Sequence, residues 1–306
     1  MTDETTGTPP TPTDHETRAV VLGGGGIAGI AWESGLLTGM LEAGIALDEA
    51  DLVVGTSAGA AVAVSLRAGH LTRRSDAEAG TIEGVGVARR REEAQPREQQ
   101  SFDGAAFVEL IGRVGRAGGD HQAVRARLGE HARGVELSLA QEAWIDRIGA
   151  RLPAAWPAGR LGITAVDALD GSFHVFDEAA GVELRRAVAA SCTVPTVYPL
   201  VTIDGRPYMD GGMRSATNAD VAAGHDKVLV IACAPEGPRS PLGPVLDEAL
   251  VTLRERGAAL LVEADAASRA AFGANVLDPA TSAPAYAAGL AQARDVAPSL
   301  REFWGA

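Results

Sequence analysis

The sequence predicts an α/β fold: a mainly parallel sheet with helices on both faces, three layers in all. Three observations lead there. Residues 18–68 read as strand, helix, strand, helix, the opening of a parallel sheet. The segments Arg18-Ala-Val-Val-Leu22 and Lys227-Val-Leu-Val-Ile-Ala-Cys-Ala234 are apolar without alternation, as strands buried on both faces are. Hydrophobic residues make up 46% of the 306 residues but aromatics only 4%, so a large core must be built from Ala, Val, Leu and Ile.

The elements follow in order. Residues 1–17 are mostly Thr, Pro, Asp and Glu and are expected to be a disordered tail. The strand at 18–22 runs into Gly23-Gly24-Gly25-Gly26. Residues 30–43 carry Leu36, Leu37, Met40 and Leu41 on one helical face, ending at Gly44. A second strand at 51–54 meets a helix of small residues at 58–68. Residues 70–135 alternate Arg with Asp and Glu, and apolar periodicity is weak. A solvated, salt-bridged helical insertion is expected there, and a mobile cap over a site is the other reading. A helix is expected at 135–152, and β runs at 161–169 and 173–176 are joined at Asp170-Gly171. After a helix at 183–190, a second hairpin is expected at Asp204-Gly205 within 201–209. The strand at 227–234 is followed by helices at 244–272 and 284–304, with a short apolar run at Asn275-Val-Leu277. No linker divides the chain, so 18–306 reads as one domain with 244–306 as its C-terminal helices.

Composition narrows the function. The net charge of −13 argues against nucleic acid as a partner and against electrostatic docking on an anionic leaflet. Cys192 and Cys233 lie in apolar surroundings and read as buried small hydrophobes. No Cys/His cluster has zinc spacing. The first 17 residues lack a basic start and an apolar stretch, no long uncharged apolar run suggests a membrane span, and the expected location is the cytoplasm.

Two motifs carry chemistry. Gly55-Thr56-Ser57-Ala58-Gly59 lies where a strand turns into a helix, which is the context of a nucleophile elbow. A tight turn with a capping Ser is the plain alternative. Gly24 to Gly29 fits both a dinucleotide fingerprint and an oxyanion hole. The first needs an acidic residue at the end of the second strand, yet Asp51 stands at its start and Gly55-Thr56-Ser57 at its end. A serine nucleophile needs a base. None of the six histidines is framed by small residues, whereas Asp210 leaves a β run directly into Gly211-Gly212. An ordinary Asp-Gly turn remains open for Asp210, and Ser57, Asp210, His225 satisfies the chain order of a conventional triad.

Taken together, Gly24-Gly25-Gly26-Ile27-Ala28-Gly29, Gly55-Thr56-Ser57-Ala58-Gly59 and Asp210-Gly211-Gly212 resemble, in order and spacing, the patatin-like phospholipase family. Ala190-Ser191-Cys192-Thr193-Val194-Pro195, Pro199 and Asn218 are also similar to family positions. The resemblance spans about residues 18–235, apart from the charged insertion. It implies a three-layer α/β/α fold, a Ser57–Asp210 dyad without His, an oxyanion hole at Gly24, Gly25 and Gly26, an acyl-enzyme, and no metal or cofactor. The implied partners are a lipid or acyl-ester substrate and, transiently, a membrane surface. The chain departs from the family at Ala28, commonly Arg or Lys, and at Trp32-Glu33, where a His-containing form is commoner.

Overall fold

A computed structural model describes residues 16–71 and 104–305. Among the described residues, eight strands form one sheet in the order β5-β6-β3-β2-β1-β7-β8, with β4 also paired to β3. In chain order they are β1 (Arg18–Leu22), β2 (Leu52–Gly55), β3 (Arg160–Asp167), β4 (Phe173–Phe176), β5 (Val201–Ile203), β6 (Arg206–Asp210), β7 (Lys227–Ala232) and β8 (Ala258–Glu263). The run β3-β2-β1-β7-β8 is parallel, while β4, β5 and β6 are antiparallel additions. The helices are α1 (Gly26–Glu42), α2 (Ala58–Arg67), α3 (Gly104–Arg116), α4 (His121–Arg133), α5 (Gln141–Gly149), α6 (Leu184–Ser191), α7 (Leu246–Arg256), α8 (Ala266–Ala271) and α9 (Ser282–Trp304).

Alternate side chains of each strand feed different cores, as the period of two demands. Val20, Leu22, Val53, Leu229 and Ile231 pack with α1, α2, α5, α6 and α9. Ala19, Val21, Val54, Val228 and Val230 pack with α7 on the other face. Val166, Ala168 and Met209 meet α3 and α4. Residues 104–133 are therefore two helices seated on the sheet. Leu110, Val114 and Leu128 are buried, which their weak periodicity had concealed. Residues 1–15 and 72–103, which hold most of the expected tail and the densest charge alternation of the expected cap, lie outside the described residues.

The structure corrects two expectations. The helix expected across 244–272 is interrupted by β8, which extends the sheet beside β7 from Ala258 to Glu263. Ala-Ala-Leu-Leu has helical propensity, but the free edge of β7 offers a full ladder of hydrogen bonds, and tertiary pairing overrides propensity. Gly257 permits the change because a Cβ there would lie 2.5 Å from Asp226 O. The helix expected from 135 begins at Gln141, with Ala140 extended ahead of it.

One detail of register builds the site. Gly55 of β2 pairs with Ile163 of β3, and Asp210 of β6 pairs with Ala165. The partner β4 occupies the opposite edge of β3 at both positions. So β2 and the antiparallel β6 share one edge of β3 and meet end to end, with Thr164 at the junction. The turns leaving the two strands begin side by side.

Candidate active site

Ser57 is forced into its place by the strand-to-helix turn. Its backbone has φ 55° and ψ −118°, outside the regions a residue with a Cβ normally occupies. Holding such a conformation costs on the order of 1–3 kcal/mol, and it persists only where the surroundings fix it. Gly59 lets α2 follow at once, since a Cβ there would lie 2.3 Å from Leu22 O. The turn presents Ser57, half-buried, at the carboxyl edge of the parallel strands and the N-terminus of α2. That edge is where ligands of such sheets bind.

Asp210 is 2% exposed. Its carboxylate takes a hydrogen bond from the Ser57 side chain and another from Gly212 N–H at 2.7 Å. Burial pushes it up to about 7, and these two bonds only partly offset the desolvation. Beneath the junction, Thr164 Oγ1 donates to Thr56 Oγ1 at 2.8 Å. Asn218 Nδ2 donates to Thr56 Oγ1 at 3.1 Å and to Gly211 O at 3.1 Å. Arg214 donates to Asn218 Oδ1 at 2.9 Å. This buried network ties both turns to β3.

The glycine loop stands against Ser57, with a Cβ at Gly24 lying 3.3 Å from Ser57 Cβ. Gly24 N–H is already committed to Ala216 O at 2.8 Å. Gly25 and Gly26, at the start of α1, donate to no acceptor among the described residues, and neither does Ala58 N–H at the start of α2. Of the three glycines expected to act as donors, Gly25 and Gly26 thus keep N–H groups without an acceptor among the described residues, while Gly24 is the point of close approach to Ser57. Behind the loop, Cys233 Sγ fills the space beside Gly25 and lies 3.8 Å from Glu33 Oε1. Glu33 is fully buried, and desolvation raises it well above the ordinary carboxylate range. Trp32 is core, fully buried, with Nε1 donating to Gln292 Oε1 at 3.0 Å.

Other candidates lie elsewhere. His225 Nδ1–H donates to Ala222 O at 2.9 Å in the turn before β7, at the amino edge of the sheet and away from Ser57. His174 pairs with Ser172 and packs against Phe176 and Tyr208. Asp51 accepts Arg18 N–H at 2.7 Å at the beginning of β1, so it cannot hold a ribose at the glycine loop. The sequence reading did not find the roles of Thr56 and Thr164, whose buried hydroxyls have no local pattern.

A family model described as patatin-like phospholipase matches residues 20–223. The chain belongs to this family. The description is that of a lipid acyl hydrolase in general terms. VipD from Legionella pneumophila is similar in structure at 13% identity and a TM-score of 0.40, over 93% of this chain and 67% of that one. Full-length ExoU from Pseudomonas aeruginosa, in complex with SpcU, is similar at 17% identity and a TM-score of 0.39, over 95% of this chain and 53% of that one. The chain thus spans about two thirds of the first (67%) and about half of the second (53%). No curated protein sequence matches it significantly. No helix among the described residues is long and apolar enough to cross a membrane.

Proposed function

We propose that this protein hydrolyses fatty-acyl ester bonds of lipids through a Ser57–Asp210 dyad. The observation that carries the reading is the strained Ser57 turn, hydrogen-bonded to a buried carboxylate and faced by glycine amides that lack acceptors. Ser57 Oγ attacks the ester carbonyl carbon while Asp210 takes its proton. Gly25 and Gly26 N–H, helped by the N-terminus of α1, hold the oxyanion of the tetrahedral intermediate. Asp210 then protonates the departing alkoxide, leaving an acyl group on Ser57. Water enters and attacks the acyl carbon as Asp210 takes its proton, and Asp210 returns that proton to Ser57 Oγ as the fatty acid leaves. The residues supply every proton and charge in this cycle, so it calls on no metal or cofactor.

A net charge of −13 fits neutral or zwitterionic lipid surfaces better than anionic ones, with transient surface contact and a cytoplasmic location. Ala28 supports the same preference, because its position is fully buried and its N–H donates to Val276 O at 3.0 Å. The loop thus has no cationic side chain at the place where the family commonly carries one.

The test is fluorophosphonate labelling beside turnover of p-nitrophenyl esters of increasing chain length. Wild-type protein should label and turn over, and Ser57→Ala should do neither. Equal labelling of both proteins would remove Ser57 as nucleophile.

A further inference from the structure

Ser191, Cys192 and Thr193 follow one another at the end of α6 and take no part in the steps above. Ser191 and Thr193 are fully buried, and Cys192 is 8% exposed. Each binds the backbone of one member of the dyad. Ser57 N–H donates to Ser191 Oγ at 2.9 Å. Cys192 Sγ–H donates to Ser57 O at 3.1 Å. Asp210 N–H donates to Thr193 O at 2.8 Å. The other bond to Ser57 O comes from Ala60 N–H, within the elbow's own helix, and moves with it. The turn at 191–193 is therefore the external hold on a strained residue and also on its partner carboxylate.

The turn is itself anchored. Thr193 Oγ1 donates to Ala189 O at 2.8 Å and accepts from Trp144 Nε1 at 3.0 Å. Trp144, on α5, stacks on Tyr198 with ring centroids 3.9 Å apart. The turn grips both backbones and so adds a second tie between nucleophile and base beside the Thr56–Thr164–Asn218 network.

We propose that Ser191 and Cys192 are positioning residues that brace Ser57 against Asp210, acting through the Ser57 main chain and not on substrate. The inference rests on the acyl-hydrolase reading. Misplacing a reacting group by about 1 Å can cost about 100-fold in rate. Ser191→Ala should therefore lower kcat about 10- to 100-fold with KM within about threefold, the pattern of a lost transition-state geometry. Fluorophosphonate should still reach wild-type final occupancy but more slowly. Cys192→Ala should lose about tenfold in kcat, and Cys192→Ser, which keeps a donor to Ser57 O, should recover most of it.

Wild-type kcat and labelling rate in both Ser191→Ala and Cys192→Ala would overturn the brace. So would a kcat loss fully accounted for by a smaller labelled fraction, because that is only misfolding. Should Ser191→Ala fail to fold, the Cys192 pair decides: equal kcat for Ala and Ser rejects the proposal. Wild-type and Ser57→Ala controls come first. If wild type neither labels nor turns over, the underlying reading fails before any brace variant is compared.

Discussion

At the scale of single residues, the proposed dyad makes Asp210 the group that should set the pH dependence of both activity and stability. Its folded value of about 7 lies above the ordinary 3.8 because burial penalises the charge. A carboxylate raised on folding binds more protons in the native state, so stability falls as pH rises between about 4 and 7 and the cost is complete above 7. Asp210→Asn removes that titration. Its gain in stability over wild type should grow by on the order of 2 kcal/mol between pH 5 and pH 8, read from denaturant midpoints at the two values. The same variant should lose at least about a hundredfold in kcat. In the wild type, kcat/KM for an uncharged ester should climb below pH 7 and level above it, because only ionised Asp210 accepts the proton. A profile flat from pH 5 to 9, or an Asp210→Asn protein no more stable at pH 8 than at pH 5, would contradict this.

At the scale of elements, the glycine loop and the helix it opens form one working part. Gly25 allows Cys233 to close behind it: a Cβ there would lie 2.4 Å from Cys233 Sγ and 2.8 Å from Gly29 Cα. Gly25→Ala must push the loop forward, and two amides then leave the position where the proposed mechanism has them meet an oxyanion. We expect kcat to fall about 100-fold or more, the scale of losing oxyanion donors, with a lower Tm. Cys233→Gly in the same chain should return part of both, a non-additivity that two independent lesions would not show. Simple addition of the two losses would place the clash elsewhere. Much of this part was legible beforehand, since Gly24-Gly25-Gly26, Gly55-Thr56-Ser57 and Asp210-Gly211-Gly212 are local patterns dictated by turn geometry. What was not legible depends on distant partners. Gly24 N–H is lost to Ala216, and β8 exists because β7 had a free edge. Ser191 and Cys192 grip a residue more than 130 positions away (sequence separations 134 and 135), which no window of sequence displays.

At the scale of the whole molecule, the family-matched residues 20–223 do not make a closed structure. Strands β7 and β8 complete the sheet beside the central β1, and α9 covers α1. Helices α1 and α9 approach through reciprocal glycines: a Cβ at Gly35 would lie 2.2 Å from Tyr286 O, and one at Gly289 2.2 Å from Trp32 O. Gln292 of α9 is a buried junction. Its Oε1 accepts from Trp32 Nε1 at 3.0 Å, Ser268 Oγ at 2.8 Å and Asp265 N–H at 3.2 Å, and its Nε2 donates to Glu263 O at 2.6 Å. One side chain thus joins α1, α8, β8 and α9. Ending the chain after Thr281 would expose Trp32 and strip three donors of their shared acceptor, each lost bond costing about 0.5–1.5 kcal/mol. Against a total stability of about 5–15 kcal/mol, that loss together with the uncovered apolar face leaves no margin. The shortened chain should be insoluble or lack cooperative thermal unfolding. The milder Gln292→Leu should fold with a Tm lower by several degrees (roughly 2–4 °C per kcal/mol at this size) and near-normal kcat. Since α9 covers α1, the helix that the glycine loop opens, a truncated protein that unfolds cooperatively at the wild-type temperature would show that α1 and its loop do not depend on the C-terminal helix for their support.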